Sequence, residues 1–221
     1  MKELLFSVAI DGPAGAGKST IANMVADKLK IEYIDTGAMY RALTLKVLNV
    51  NKDPKNTSEV VQIMKITEID FENNQILLDG KNVDEEIRDN LVSTNVSYVS
   101  QYKEVRDQMV LLQQKMAKTK SIIMDGRDIT TVVLPDAEFK FFITASIEER
   151  AKRRYIELLN KGYTKSTYKQ IFDEIRTRDE IDSNREISPL SIADDAYVLD
   201  NTDKSIDESV DIIVSMVKGG R

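Results

Sequence analysis

The chain has 221 residues, a formal net charge of −6 and a sequence pI of about 5.0. This balance argues against a nucleic-acid partner held by bulk electrostatics, and the length suits one α/β domain with small appendages. Cys and His both number 0, which excludes disulfides, thiolate metal sites, a His general base and His-ligated zinc or haem. The N-terminus enters an apolar strand almost at once, and no apolar run approaches membrane-spanning length. A soluble cytoplasmic protein without a signal peptide or a membrane partner is therefore expected.

The first predicted strand, residues 4–10, runs into the sequence Gly-Pro-Ala-Gly-Ala-Gly-Lys-Ser-Thr, and a helix-forming segment over 21–30 follows. Strand, glycine-rich loop and helix in this order predict a phosphate-binding loop whose backbone N–H groups surround an anion. Lys18 is expected to reach the β- and γ-phosphates, and the Ser19 hydroxyl is expected to bind Mg²⁺. The motif predicts a nucleoside triphosphate site formed by Gly12, Pro13, Ala14, Gly15, Ala16, Gly17, Lys18, Ser19 and Thr20.

Further short apolar segments predict strands over 31–34, 121–124, 139–143 and 196–199, with helices between them. Helix-capping patterns begin at Ser146, Thr167 and Ser205, and the first of these helices, 146–161, is expected to stop at Gly162. Residues 67–83 differ, because turn sequences at Asn73-Asn74 and Asp79-Gly80 separate strand-like runs and predict small antiparallel hairpins. The pattern predicts an α/β fold with a doubly wound parallel sheet, a β-rich insert and the nucleotide at the carboxyl ends of the strands.

The remaining motifs distinguish between classes of phosphate-loop protein. A GTP switch needs Asn-Lys-x-Asp, and Asn51-Lys52-Asp53 has the wrong spacing. A remodelling ATPase would have consecutive acids after an apolar strand, whereas an Arg separates the carboxylates of 125–128. Arginines recur instead at helical spacing, at 150, 153 and 154 and again at 178 and 185. Solvated helix faces are the alternative for any one of them, but together they favour phosphoryl transfer to an anionic acceptor, which needs no His.

Five motifs in this order resemble the bacterial cytidylate kinases, and the resemblance covers essentially the whole chain. They are the phosphate loop, Asp-Thr-Gly-Ala-Met-Tyr-Arg at 35–41, Asp-Gly-Arg-Asp-Ile-Thr-Thr-Val-Val-Leu-Pro-Asp at 125–136, Glu-Arg-Ala-Lys-Arg-Arg at 149–154 and Arg-Asp-x-x-Asp-x-x-Arg at 178–185. The phosphate loop is generic, whereas the second and third motifs are specific. The resemblance implies transfer of the γ-phosphoryl group of MgATP to CMP or dCMP, in pyrimidine nucleotide metabolism.

The resemblance also implies residue roles. Thr36, Tyr40 and Arg41 resemble acceptor contacts, and Arg127 and Arg185 resemble further monophosphate ligands. The set that reads cytosine is expected to be Ser97, Arg106 and Asp128, and the ribose contacts Arg178 and Asp182. The residues expected to bind the triphosphate from a mobile lid are Arg150, Arg153 and Arg154, and the residues expected to act on the transferring group are Lys18, Arg127, Arg154 and Arg185. Ser97 and Arg106 lie outside any clear motif, so ordinary helix-surface positions are their alternative.

Asp35 is expected to assist Mg²⁺ binding, with a helix cap as the alternative, and two positions depart from the family pattern. Thr130 stands where the family often has Gly and is expected to stiffen its turn. Ile181 stands where a basic residue is common, so one phosphate contact is expected to be missing. The expected units are a core of 1–36, 86–147 and 167–221, a monophosphate-binding region of 37–85 and a lid of 148–166, in a monomer.

Two rival interpretations remain open from the sequence. Within the kinases, the acceptor could be another monophosphate or a small anion, although the short 162–167 segment argues against adenylate kinase and the insert against shikimate kinase. From another class, a regulatory protein could use ATP as a ligand and dock a partner on the 67–83 insert.

Overall fold

A five-stranded parallel sheet forms the centre of the protein in the computed structural model, which describes residues 5–72, 75–160, 162 and 166–220. The strands, in chain order, are β1 (Ser7–Asp11), β2 (Glu32–Asp35), β3 (Ile69–Glu72), β4 (Gln75–Leu78), β5 (Lys81–Asn82), β6 (Ile122–Gly126), β7 (Phe139–Thr144) and β8 (Tyr197–Asp200). The parallel sheet has the order β2-β6-β1-β7-β8, and β3-β4-β5 form a separate antiparallel sheet. The predicted parallel core and β-rich insert are both confirmed.

Helices pack on the two faces of the parallel sheet, on the insert and on one another. They are α1 (Lys18–Leu29), α2 (Thr36–Asn49), α3 (Thr57–Met64), α4 (Asn90–Val99), α5 (Lys103–Ala117), α6 (Ile147–Asn160), α7 (Tyr168–Asn184) and α8 (Ile206–Gly219). Reciprocal capping boxes start α7 at Thr167 and α8 at Ser205, as the sequence predicts. At Ser146 only half of the box forms, because its hydroxyl accepts from the Glu149 N–H while the Glu149 carboxylate pairs with Arg153.

Side chains of the central strands alternate between two apolar layers. In β1, Val8 and Ile10 pack with α1 and α8, whereas Ala9 packs on the opposite face with the strands β2 and β6 and the turn after β6. A third cluster joins α2, α3 and the small antiparallel sheet, and it continues into α4 and α5 as far as Met109. The insert therefore shares one core with the two helices that follow it.

The predicted strand positions are confirmed to within three residues, and one of the two predicted hairpin turns can be compared. The turn at Asp79-Gly80 has positive φ at both residues and joins β4 to β5, as a tight hairpin requires. Asn73-Asn74 and Lys161 lie outside the described residues. Helices α6 and α7 pack on each other through Ala151, Leu158, Ile171 and Ile175. Among the residues described, no helix is both long and apolar enough to span a bilayer.

Candidate active site

The loop between β1 and α1 has the backbone that anion binding requires. Gly12 has φ +148°, and a Cβ there would collide with the Ile143 carbonyl oxygen. Gly17 adopts the left-handed conformation at the N-cap of α1 without a side-chain cap. The first N–H groups of α1 therefore face the loop, where a phosphate could accept hydrogen bonds from them.

Lys18 lies buried at the start of α1, where its Nζ donates to the Pro13 carbonyl oxygen at 2.7 Å. Burial lowers the pKa of Lys18, Arg127 lowers it further, and Asp125 opposes the shift. Burial has removed the water that would otherwise solvate this ammonium group. Asp125 stabilises the charged ammonium only in part, and a bound anion would stabilise it further.

Ser19 and Asp125 form an oxygen-rich pair beside this lysine. The Ser19 hydroxyl donates to Asp125 Oδ2 at 3.0 Å, and the Tyr33 hydroxyl donates to Oδ1 at 2.8 Å. Asp125 comes from β6, next to β1 in the sheet. Burial and then the nearby Asp35 raise the pKa of Asp125, whereas Lys18 lowers it. A hydroxyl and a carboxylate are ligands that Mg²⁺ accepts.

Asp35 is engaged differently. Its Oδ1 accepts from the Ala38 N–H at 2.9 Å, which caps α2, and its Oδ2 pairs with Arg41 at 2.7 Å and with Arg88 at 3.0 Å. Burial alone would raise the pKa of Asp35, but the two arginines outweigh burial and lower it. The structure favours the helix-cap alternative, and it makes Asp125 rather than Asp35 the carboxylate in contact with Ser19.

Arginines surround the space beyond Asp125. Arg127 Nε donates to Asp182 Oδ2 at 2.8 Å, and Arg178 lies nearby. Burial alone would raise the pKa of Asp182, but the charges of Arg127 and Arg178 lower it. Burial and the like charge of Arg127 lower the pKa of Arg178 to about 10. Four buried guanidinium nitrogens have no hydrogen-bond partner in the part of the chain described: the Nε of Arg41, the Nε of Arg106, the Nε of Arg178 and the Nη2 of Arg185.

Asp128 lies at the far end of this arginine group. Its carboxylate makes a very short contact with Arg106 Nη2, and its Oδ1 lies 3.6 Å from Arg185 Nη2. Arg106 also donates to the Ser100 carbonyl oxygen at 3.0 Å and lies over the ring of Tyr40. All four of the side chains at Asp128, Arg106, Arg185 and Tyr40 are buried, and burial raises the pKa of Tyr40 to about 12.

One cavity of about 730 Å³ joins the phosphate loop to this far end. Of the residues expected in the site, it is lined by Ala14, Gly15, Ala16, Gly17, Lys18, Ser19, Thr20, Asp35, Thr36, Tyr40, Arg41, Ser97, Arg106, Arg127, Asp128, Arg154, Arg178, Asp182 and Arg185. Gly12 and Pro13 shape the loop behind its wall. Ile181 also lines it. Residues of all five sequence motifs therefore line one cavity.

Arg150 and Arg153 lie outside the cavity, contrary to the expectation that they face the triphosphate. Arg150 is buried; it donates to the carbonyl oxygens of Ala14 and Ala145 and pairs with Asp179 at 2.6 Å. Arg153 donates to both the side-chain and the backbone oxygen of Asn201. Both guanidinium groups donate to protein oxygens, so they brace the phosphate loop and the end of β8. Among the three lid arginines, Arg154 alone lines the cavity, and it pairs with Glu157 at 2.9 Å.

Sequence reasoning missed two residues of this site. The motif at 125–136 contains Asp125 but does not by itself assign it a role. An acidic residue at the end of an apolar strand next to the phosphate-loop strand would have indicated a place beside the phosphate loop. Arg88 follows the insert within a short 3₁₀ turn and carries no local motif. Its pairing with Asp35 depends on the fold that brings the end of the insert back to β2.

Known proteins resemble this chain along nearly its full length. The family model described as cytidylate kinase matches residues 8–219. A cytidylate kinase of Clostridioides difficile (strain 630) is 54% identical over 210 residues, covering 95% of this chain and 97% of that protein. A cytidylate kinase of Caldanaerobacter subterraneus subsp. tengcongensis is 50% identical over 218 residues, covering 99% and 97%.

A solved structure of shikimate kinase from Bacteroides thetaiotaomicron has the same fold. It superposes with a TM-score of 0.51 at 13% identity, covering 97% of this chain and 99% of that one. At this identity the likeness concerns the arrangement of the sheet and helices alone.

Proposed function

The chain belongs to the cytidylate kinase family, and from this premise we propose that it transfers the γ-phosphoryl group of ATP to CMP or dCMP, giving ADP and CDP or dCDP. The observation that supports this reaction best is one cavity in which two different cationic groups lie side by side. Lys18 and the phosphate loop are at one end. The arginines around Asp182 come next, with Arg127 and Arg178 close enough to lower the pKa of Lys18, and Asp128 is at the far end. Such a cavity suits two phosphorylated ligands whose phosphates meet between them.

The arginine group is proposed to hold the acceptor monophosphate. The buried nitrogens of Arg41 and Arg185 that lack a hydrogen-bond partner need acceptors, because a buried donor without one costs about 1–3 kcal/mol. A phosphate group offers several anionic oxygens to guanidinium forks at once. Arg127 and Arg88 line the same wall and add charge. In this proposal the ion pairs with Asp182 and Asp35 keep the guanidinium groups oriented before the nucleotide arrives.

The proposed transfer requires positioning and charge stabilisation rather than a general base. An acceptor phosphate is already an anionic nucleophile at neutral pH, which agrees with a chain that contains 0 His. Lys18 and Arg127 would stabilise the charge that develops on the transferring group, and Arg154 and Arg185 would act from the two sides. Lys18 lies where water is already excluded, which strengthens its interaction with phosphate.

The proposed Mg²⁺ ligand in the protein is Ser19, with Asp125 beside it. Their oxygen atoms lie 3.0 Å apart, and hard cations prefer such donors. The described part of the chain has no cluster of three or more acidic side chains that could hold a metal, which fits an ion bound mainly by nucleotide phosphates and water. When bound, Mg²⁺ would neutralise phosphate charge; Asp35 would act only through its charge on Asp125.

At the far end of the cavity, Asp128 is proposed to select cytosine. A carboxylate accepts a hydrogen bond from the 4-amino group of cytosine and repels the 4-carbonyl of uracil. Arg106 and Ser97 are proposed to complete this pocket, since both are buried and line the same cavity. Thr36 and Tyr40 would contact the nucleotide from α2, and Arg178 and Asp182 would contact its ribose.

The proposal includes the unit boundaries 37–85 for monophosphate binding and 148–166 for the lid, with the core formed by 1–36, 86–147 and 167–221. Because the insert shares an apolar cluster with α4 and α5, movement of 37–85 would carry those helices along. Arg154 is the proposed lid contact to the triphosphate, whereas Arg150 and Arg153 support the loop from behind. A cytoplasmic monomer without nucleic-acid or membrane partners completes the proposal, and the net charge of −6 supports its nucleic-acid part.

Acceptor-dependent release of ADP tests the proposal. The purified protein is given MgATP with CMP, dCMP, UMP, AMP, GMP, shikimate or no acceptor, and ADP is followed by a coupled assay. CMP and dCMP are expected to give the highest kcat/KM. Fast turnover with another acceptor alone would assign another kinase activity. Slow hydrolysis that ignores every acceptor would assign a regulatory nucleotide-binding protein.

A further inference from the structure

A buried carboxylate outside the cavity holds the backbone that follows Asp128. Asp11 is the last residue of β1 and is fully buried. Its Oδ1 accepts from the Ile129 N–H at 2.8 Å, and its Oδ2 accepts from the Thr130 N–H at 2.8 Å and from the Thr130 hydroxyl at 2.6 Å. All three of these hydrogen bonds come from the two residues after Asp128.

These bonds fix a single π-helical turn, Ile129–Val133, that begins at Asp128. The Asp128 side chain does not cap this turn, and Asp11 supplies the cap from a distant strand instead. The Asp128 carbonyl accepts from the N–H groups of Val132 and Val133, and the Val133 carbonyl accepts from Gln114 on α5. The turn is thus tied at its start to β1 and at its end to the helix that carries Arg106.

Freed from capping, the Asp128 carboxylate turns into the cavity and meets Arg106 and Arg185. Asp11 and Thr130 do not line that cavity. Burial raises the pKa of Asp11 to about 6, although the bonds from Thr130 and Ile129 oppose the rise. Asp11 is therefore mainly ionised above that pH, and its bonds to Thr130 are charge-assisted. The hydroxyl bond comes from the Thr130 side chain itself, and a Gly at this position could not form it.

We propose that Asp11 and Thr130 are positioning residues for base selection, which hold Asp128 at the angle that lets it discriminate cytosine from uracil. This inference rests on the proposed function, because it assigns Asp128 to the base. It goes beyond that function in making selectivity depend on two residues that contact no nucleotide. Loss of the hydroxyl bond loosens the start of the turn and lets the Asp128 carboxylate rotate toward either arginine.

The test compares Thr130→Val, which keeps the shape and loses the hydroxyl, with wild type. The kcat/KM ratio of CMP to UMP is expected to fall about threefold to tenfold, the range that corresponds to one net hydrogen bond. The loss is expected in KM for CMP, while KM for ATP changes less than about twofold, since the N–H groups of Ile129 and Thr130 still hold Asp11, the residue before the phosphate loop, in place. Thr130→Ser, which restores the hydroxyl, is expected to recover the wild-type ratio.

Two further variants separate positioning from lost stability. Ser209→Ala removes a buried hydroxyl of α8 that donates to the Ser205 carbonyl at 3.0 Å, far from Asp128; it is expected to lower Tm without changing the ratio. If Thr130→Val does not fold, Thr130→Ala and Thr130→Ser form a second pair, both without the methyl group and differing in the hydroxyl.

An unchanged CMP-to-UMP ratio in the variant without the hydroxyl would overturn the inference, as would a parallel rise of KM for ATP. Neither result would touch the proposed function, which the wild-type acceptor panel tests separately. Failure of the wild-type protein to phosphorylate CMP would instead remove both.

Discussion

Replacing Asp128 with Asn keeps the shape of the side chain and removes its charge. Arg106, buried beside it, would retain one neutral acceptor, and Arg185 Nη2, 3.6 Å from Oδ1, would lose its anionic neighbour. We expect Arg106 to hold the amide oxygen, which turns the amide nitrogen toward Arg185 and the cavity. The 4-amino group of cytosine then loses an acceptor, while the 4-carbonyl of uracil gains a donor.

The expected effect on selectivity is about 1–3 kcal/mol, the value of one well-placed polar contact to a base, or about fivefold to 150-fold in the CMP-to-UMP ratio of kcat/KM. KM for ATP is expected to stay near the wild-type value. The free energy of unfolding is expected to fall by about 1–3 kcal/mol, because Arg106 keeps its buried charge and loses its anionic partner. A typical domain stability of about 5–15 kcal/mol leaves the variant folded.

Steady-state kinetics with CMP and UMP at saturating MgATP measures the ratio, and urea unfolding measures the stability. Asp107→Asn is the matched control: the same change one residue from Arg106, in an exposed ion pair with Lys103. It is expected to leave both quantities unchanged, since exposed pairs contribute little. Equal losses for CMP and UMP in Asp128→Asn would refute base reading and reduce Asp128 to a structural partner of the arginines.

Three other predictions test other parts of the account. Lys18→Ala is expected to lower kcat by about 10²-fold or more while the circular dichroism spectrum stays native. Lys28→Ala, on the exposed face of the same helix, is expected to leave kcat unchanged. If Lys18→Ala retained more than half of the wild-type activity, Lys18 would be excluded from catalysis. Arg41→Ala and Arg127→Ala are each expected to lower kcat/KM for CMP by the equivalent of about 1.5–3 kcal/mol, with little change in kcat/KM for ATP. The loss in the double variant is expected to be smaller than the sum of the two single losses. Equal losses for both nucleotides would place these arginines at the ATP site. Burial alone would raise the pKa of Asp182, but Arg127 and Arg178 lower it below 3.8. The ionised Asp182 therefore stabilises the fold above pH 3.8, and this contribution is lost as the pH falls through the lowered pKa. The difference in unfolding free energy between wild type and Asp182→Asn is expected to shrink below pH 3.8, and a difference that stays constant with pH would contradict this prediction.

Much of the fold follows from local patterns in the sequence. The phosphate loop, the short apolar strands and the capping boxes at Thr167 and Ser205 each depend on neighbours within a few residues, and each is confirmed. The spacing of Arg178, Asp182 and Arg185 also predicted one helix stripe. All three line the cavity, but Arg185 lies just past the end of α7, with extended backbone.

Other features depend on which distant elements become neighbours. Asp125 meets Ser19 because β6 lies between β2 and β1, and strand order is invisible to local periodicity. Helical spacing likewise placed Arg150 and Arg154 on one face without showing that Arg150 packs under the phosphate loop. The Asp11 bonds join residues 118 and 119 positions apart, so the effect of Thr130 could be anticipated as stiffening but not traced to a partner.

The most direct test of the central claim identifies where the γ-phosphorus of ATP goes. Phosphorus NMR of wild-type protein with MgATP and CMP follows ATP, ADP, CDP and inorganic phosphate in one sample. We predict that ADP and CDP appear one for one, that inorganic phosphate stays near the background, and that the reaction runs back when ADP and CDP are supplied. Inorganic phosphate released at the same rate with or without CMP, and no CDP, would contradict the account.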